Sequence, residues 1–137
     1  MTVWFCLAGE PRGKGRPRFT RAGHAYTPKD TAAYEAALAQ ACRSQCGGVF
    51  FGAGDPVLLR VDAYFGIPKR ANRVARQDML SGRLRPVRRP DVDNIGKAVA
   101  DALNGVLYRD DAQLVEVRVC KWYGEQPRVE VTAWSGT

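Results

Sequence analysis

The segment from Arg88 to Asp111 constrains this chain more than any other. Pro90 disfavours helix at Arg89 and gives the next residues an extended approach. In an extended run, residues two apart project to the same side, so Asp91 and Asp93 are expected side by side. Ile95, Val99, Ala102, Leu103 and Val106 then form the apolar stripe of a helix, with Asn104-Gly105 as its stop. Asp93, Lys97 and Asp101 recur at helical spacing on a separate polar stripe. The chain turns back through Tyr108-Arg109-Asp110-Asp111 into a strand, so a further pair of acids could return near the helix start, a placement that the sequence alone does not fix.

Carboxylates that converge repel one another unless a cation or a proton sits among them. Oxygen donors with no nearby histidine or cysteine point to a hard cation, Mg²⁺ or Mn²⁺, and away from zinc. A plainer account is available for each acid taken alone. Asp93 can cap the helix, Lys97 can pair with Asp101, and Asp110-Asp111 can make a turn. It accounts poorly for the set, because a cap needs one acid and nothing structural asks for Asp91 as well as Asp93.

Around this segment the chain reads as one α+β domain spanning residues 1–137, a small mixed β-sheet with helices packed on one face. The expected order is β-α-β-α-β-β. Thr2 to Leu7 is the first strand, and Thr27-Pro28 opens a helix to about Cys46, with Thr27 as its cap. Tyr34, Ala37, Leu38 and Ala41 make that helix's buried side. Val57 to Phe65 alternates as a half-buried strand. Leu114 to Trp122 and Arg128 to Trp134 also alternate, and the turn at Gly124 to Pro127 predicts that they form a hairpin. Cys6, Cys42, Cys46 and Cys120 lack paired metal-ligand spacing and read as reduced thiols. With no apolar run long enough to span a bilayer and no secretory leader pattern, a cytoplasmic protein is expected.

Charge supplies the partner. The net charge of +7 favours a polyanion, and no basic amphipathic helix points to a membrane, so nucleic acid is the expected ligand. The excess lies in two stretches. The first, Gly9 to Thr27, carries Arg12, Lys14, Arg16, Arg18 and Arg21 among glycines, with Phe19 and Tyr26 nearby, and suits contacts along a phosphate backbone. It fails the nucleotide-binding pattern GxxxxGK[ST], because Gly9 and Gly13 are too close and Gly15 follows Lys14, so no nucleotide cofactor is expected. The second runs from Ile67 to Pro90 as a flexible basic loop, with a short helix possible between Ala71 and Leu80. Lys69, Arg70, Arg73, Arg76, Arg83, Arg85, Arg88 and Arg89 stand there against the single acid Asp78, delivering positive charge beside the aspartates.

Carboxylate-held Mg²⁺ ions, about 3.5–4 Å apart when paired, activate water and neutralise a phosphodiester, and a neighbouring lysine stabilises the charge that develops. The run from Arg89 to Gln113 resembles the signature of RusA-family Holliday junction resolvases, roughly PDxDNxxKxxxDALNGxxxxDDxQ. The N-terminal Gly-x-Pro-x-x-Lys-Gly-Arg-Pro-Arg and Tyr26-Thr27-Pro28 are similar to phage and prophage members. That resemblance implies Asp91, Asp93 and Asp111 as ligands of catalytic Mg²⁺ (Mn²⁺ possible) and Lys97 as the essential lysine. It gives Asp110 and Asp101 supporting places, Asp101 orienting Lys97 or the helix. It further implies a homodimer that makes paired symmetric nicks in branched, four-way DNA. The residues alone leave two alternatives: a metal-dependent nuclease for other branched DNA or RNA, and a non-catalytic nucleic-acid-binding protein.

Overall fold

The computed structural model describes residues 1–16, 18–26 and 28–136. Its centre is the strand Val57–Gly66, whose inner side chains Val57, Leu59, Val61, Ala63 and Phe65 are all buried. Numbered along the chain, the strands are β1 (Thr2–Ala8), β2 (Arg18–Phe19), β3 (Ala25–Tyr26), β4 (Val57–Gly66), β5 (Leu114–Gly124) and β6 (Arg128–Ser135). Four of them make a mixed sheet in the order β1-β6-β4-β5, while β2 and β3 pair, among the described residues, only with each other. The helices are α1 (Lys29–Cys46), α2 (Arg73–Leu80) and α3 (Val92–Ala102). The architecture is α+β, with a mixed sheet.

β5 and β6 do not form the hairpin that their alternation predicts. Both are strands, but β4 lies between them, parallel to β5 and antiparallel to β6. Alternation marks which side chains face the core; it does not say which strand is the neighbour. The link from Gly124 to Arg128 arches over the end of β4 at Gly66. A Cβ there would stand 3.2 Å from Pro127 Cγ and 2.5 Å from Glu10 Oε1, the oxygen that accepts from the Gly66 amide, so the crossing is close-packed at this glycine. In return β4 sits in the middle, where its apolar inner face is covered; each of its valine, leucine and phenylalanine side chains contributes about 1.5–3 kcal/mol on burial.

α1 and α3 cover that inner face. Leu38, Ala41 and Cys42 of α1 and Ile95, Val99 and Ala102 of α3 enter one core with Phe5, Leu59 and Val131. α1 starts at Lys29, with Pro28 in the capping position and no side-chain cap bond; the expected cap, Thr27, lies outside the described residues. α1 stops at Gly47 in the left-handed region. Burial, then the neighbouring Cys46, pushes the Cys42 thiol up to about 12, so it behaves as a small apolar residue.

Residues 67–90, expected as a flexible basic loop, carry α2 and are fastened at several points. Asn72 caps α2 by accepting from the Ala75 amide. α2 ends against Trp122, which pairs in register with Tyr64 and so lies on the sheet face away from α1 and α3. The chain then crosses the outer edge of β5. Arg85 lies over the Trp122 ring at 3.8 Å and donates to the Lys121 carbonyl at 2.8 Å. Lys121 in turn donates to the Arg88 carbonyl. This crossing covers one end of the free edge of β5 and delivers Pro90 to the start of α3.

Candidate active site

The start of α3 decides how its acids are presented. Asp91 is extended and takes the capping position, but its carboxylate accepts no bond from the first turn. Asp93 already lies inside the helix, because α3 begins at Val92. The two acids are therefore not alternate residues of one extended run, as expected; they are neighbours on the rim of a helix N-terminus. There the helix dipole favours negative charge. Ile95, Gly96, Ala98 and Val99 turn inward, and this leaves Asp91, Asp93 and Lys97 exposed. Among the described residues, none of these three side chains makes an ion pair or a hydrogen bond.

Two concavities flank this rim. One lies between α3 and β5 and is lined by Val92, Asp93, Gly96, Lys97, Val117 and Arg118, with a volume of about 650 Å³. The other, about 430 Å³, is formed where the N-terminal loop docks on α3, and it gathers Arg12, Arg89, Asp91 and Asn94. Docking is close. The Lys14 amide donates to the Asn94 carbonyl at 2.9 Å, and a Cβ on Gly13 would stand 2.9 Å from both Asn94 Cβ and Pro90 Cβ. A basic loop distant in sequence is thus brought to the side of Asp91.

The cations divide into two groups. Arg12 and Arg89 line the concavity beside Asp91, and Arg16, Arg18, Arg21, Lys69, Arg70 and Arg73 are exposed. Others hold the fold. Lys14, expected at a phosphate, reaches Glu35 at 2.7 Å and Asp101 at 3.1 Å. Desolvation pulls its pKa down, but the bonds to Glu35 and Asp101 outweigh that and leave it raised. Arg76 pairs with Glu125 at 2.9 Å, and Arg88 lies 3.5 Å from Glu10 and over the Phe65 ring. Glu35 gave no signal in the sequence, because its partner lies on another element.

At the other end of α3 stands a second acidic group. The Tyr108 hydroxyl donates to the Ala100 carbonyl at 2.6 Å and ties the return turn to the helix. Asp110 caps the 3-10 turn Asp111–Gln113 by accepting from the Ala112 amide at 3.1 Å. Gln113 donates to the Gly52 and Asp55 carbonyls and accepts from Arg109 and Asp110, fixing the turn to the loop before β4. The Ala112 amide, then Asp111, hold the Asp110 carboxyl below its usual range. Burial, then Asp110, push Asp111 above it, with Asp101 adding to the effect and Asn104 opposing it. Asp101 pairs with Lys14 here and makes no ion pair with Lys97 among the described residues. Eight residues of helix, about 12 Å, separate Asp93 from Asp101.

The sequence profile of the family described as endodeoxyribonuclease RusA matches residues 8–133. The chain belongs to the RusA endodeoxyribonuclease family. It is therefore an endodeoxyribonuclease of the Holliday junction resolvase class, an enzyme that hydrolyses phosphodiester bonds in branched DNA. The uncharacterized protein YqaN of Bacillus subtilis (strain 168) is similar to it, at 37% identity over 94% of this chain and 93% of that protein. RusA nucleases depend on divalent metal ions. The donors on α3 and its return turn are carboxylate oxygens, which suits a hard divalent cation. As the side chains are placed, no three acidic, histidine or cysteine groups among the described residues stand close enough to hold one ion.

Proposed function

We propose that this RusA-family enzyme resolves four-way DNA junctions by paired symmetric nicks, acting in the cytoplasm as a two-fold homodimer with Mg²⁺ (or Mn²⁺) at each acidic site. One observation carries the reading. Asp91, Asp93 and Lys97 are exposed on the rim of α3 and have no structural partner among the described residues, while the neighbouring charges Lys14 and Asp101 do. Unpaired like charges beside a lysine make sense where a substrate and a cation are to come.

Asp91 and Asp93 on the rim are two of the proposed ligands; Asp111, on the turn past the other end of α3, is the third, and sharing one ion requires that turn to move toward the rim. A bound divalent ion supplies a polarised phosphate and an activated water. Lys97 places its ammonium where negative charge develops on the phosphate, and Arg12 and Arg89 hold the adjoining backbone phosphates. Asp110 supports this set through the turn it caps, and Asp101 through the bond that fixes Lys14. The dimer is supported by apolar surface at the uncovered part of β5. Val92, Val115 and Val117 are exposed there, beside backbone groups that no strand among the described residues pairs. Two copies joined by a two-fold axis present two acidic sites to a substrate with the same symmetry.

The test incubates wild type, Asp93→Asn and Lys97→Ala with a four-way junction, a linear duplex and a single strand, with and without Mg²⁺. Symmetric junction nicking by the wild type with Mg²⁺ alone is expected. Asp93→Asn should lose cutting and keep or tighten binding, because a repelling carboxylate is gone. Equal cutting by Asp93→Asn would remove the ligand set. Preferential cutting of flaps, forks or RNA would move the substrate while keeping the chemistry.

A further inference from the structure

The acids on α3 act on a phosphodiester and carry no means of recognising a branch. A different element has the chemistry for that. Between the docked loop and α1, residues 18–26 form the ribbon of β2 and β3, and every residue from Arg18 to Tyr26 is exposed. The ribbon is held by its own bonds. The Thr20 amide donates to the His24 carbonyl at 2.9 Å, the Gly23 amide to the Thr20 carbonyl at 2.9 Å, and the His24 amide to Thr20 Oγ1 at 3.2 Å. Its aromatics are left outside the core, Phe19 at 69% exposure and Tyr26 at 47%. In register Phe19 faces Ala25, whose methyl leaves the ring uncovered, and Arg18 faces Tyr26 on the other side of the ribbon. Arg18 and Lys29 line a concavity with Tyr26, and residues 16–30 carry Arg16, Arg18, Arg21 and Lys29 against Asp30 as the one acid in that run of sequence.

Scattered exposed apolar residues need no explanation, but two rings on one exposed, strongly basic ribbon do. Cations exclude an apolar protein core as the natural partner and favour a polyanion with flat apolar faces. The ribbon is also near the site: Lys14, four residues before Arg18, is bonded to Asn94 of α3, and four residues reach at most about 14 Å.

We infer that the ribbon 18–26 is the branch-recognising finger of this enzyme, with Phe19 stacking on an unpaired or unstacked nucleobase at the junction centre. The inference rests on the proposed reading of the acidic site. An aromatic ring gains about 5- to 150-fold in affinity for each base it stacks on. In continuous duplex that gain is offset by the cost of unstacking a base step. At a branch point stacking is already interrupted, so the gain is kept. Phe19 therefore favours junction over duplex, while the arginines around it favour both alike.

The experiment measures binding of wild-type, Phe19→Ala and Phe19→Trp protein, in EDTA so that nothing is cut, to a four-way junction and to a linear duplex of matched sequence. One junction carries 2-aminopurine at the crossover. Phe19→Ala should bind the junction about tenfold more weakly and the duplex within about twofold of wild type. Phe19→Trp should restore junction binding, and the 2-aminopurine signal should respond to wild type and not to Phe19→Ala. Retained selectivity in Phe19→Ala, or equal loss on both DNAs, overturns the inference and leaves the acidic site untouched. A change of oligomeric state in Phe19→Ala on a sizing column also overturns it, by making Phe19 a contact between copies. A wild type without junction preference removes the substrate reading and this inference together, whatever Mg²⁺ does to cleavage.

Discussion

The ammonium of Lys14 lies 3.1 Å from the carboxylate of Asp101, and its other bond, at 2.7 Å, goes to Glu35. One lysine on the N-terminal loop thereby joins that loop to α1 and α3. Replacing it leaves two half-buried carboxylates without a partner. Lys14→Met is expected to lower stability by about 1–3 kcal/mol, read as a fall in Tm of several degrees. The pH dependence has a definite sign. The pKa of Lys14 is raised by folding, so its contribution is whole below about 10.5 and is lost as pH rises through the folded value. Wild type and Lys14→Met should therefore converge in Tm at strongly alkaline pH, and a gap that persists there would show that the ammonium is not the tie.

Gly13 is where that loop touches α3. A methyl group at this position would meet Asn94 Cβ and Pro90 Cβ at 2.9 Å, and neither neighbour has a flexible end to move. Gly13→Ala is expected to cost about 1–3 kcal/mol and to shift Arg12 away from Asp91. Cleavage assays and thermal melts on the same preparation check this: both should fall, with the far-UV spectrum unchanged.

Arg85 fastens the 81–90 crossing through the Trp122 ring and the Lys121 carbonyl. Its removal should cost about 0.5–2 kcal/mol. Arg85→Ala should change Trp122 fluorescence and speed amide exchange across residues 81–90 more than elsewhere. Arg85→Lys should not restore either signal, since an ammonium lacks the planar face that stacks on indole. Unchanged exchange in Arg85→Ala would mean that α2 alone holds the crossing.

Asp110 and Asp111 should respond to charge removal in opposite directions. Folding raises the Asp111 pKa, chiefly through burial, so its contribution is present below about 3.8 and is lost as pH rises through the folded value. Folding lowers that of Asp110, chiefly through the Ala112 amide, so its contribution is present above about 3.8 and is lost as pH falls. In buffer free of divalent ions at pH 7, Asp111→Asn should raise Tm and Asp110→Asn should lower it. Thermal melts of the two variants that shift the same way would show that the acids are interchangeable.

Much of this protein was legible along the chain. Period-2 alternation gave β4, β5 and β6, because burying every second side chain is a local requirement that leaves its mark in Val57, Leu59, Val61, Ala63 and Phe65, while β2 and β3 fall in the stretch expected as a loop. The apolar stripe of Ile95, Val99, Ala102 and Leu103 gave α3 in the same way, and the aspartates around it, read with their spacing, gave the family. Only the tertiary structure placed β4 between β5 and β6, because strand neighbours are chosen by crossovers such as the one over Gly66. It also separated working cations from structural ones. Lys14 and Arg12 look alike in sequence, yet Lys14 meets Glu35 and Asp101 while Arg12 opens beside Asp91, and a charge's role depends on what folding sets within a few ångströms of it.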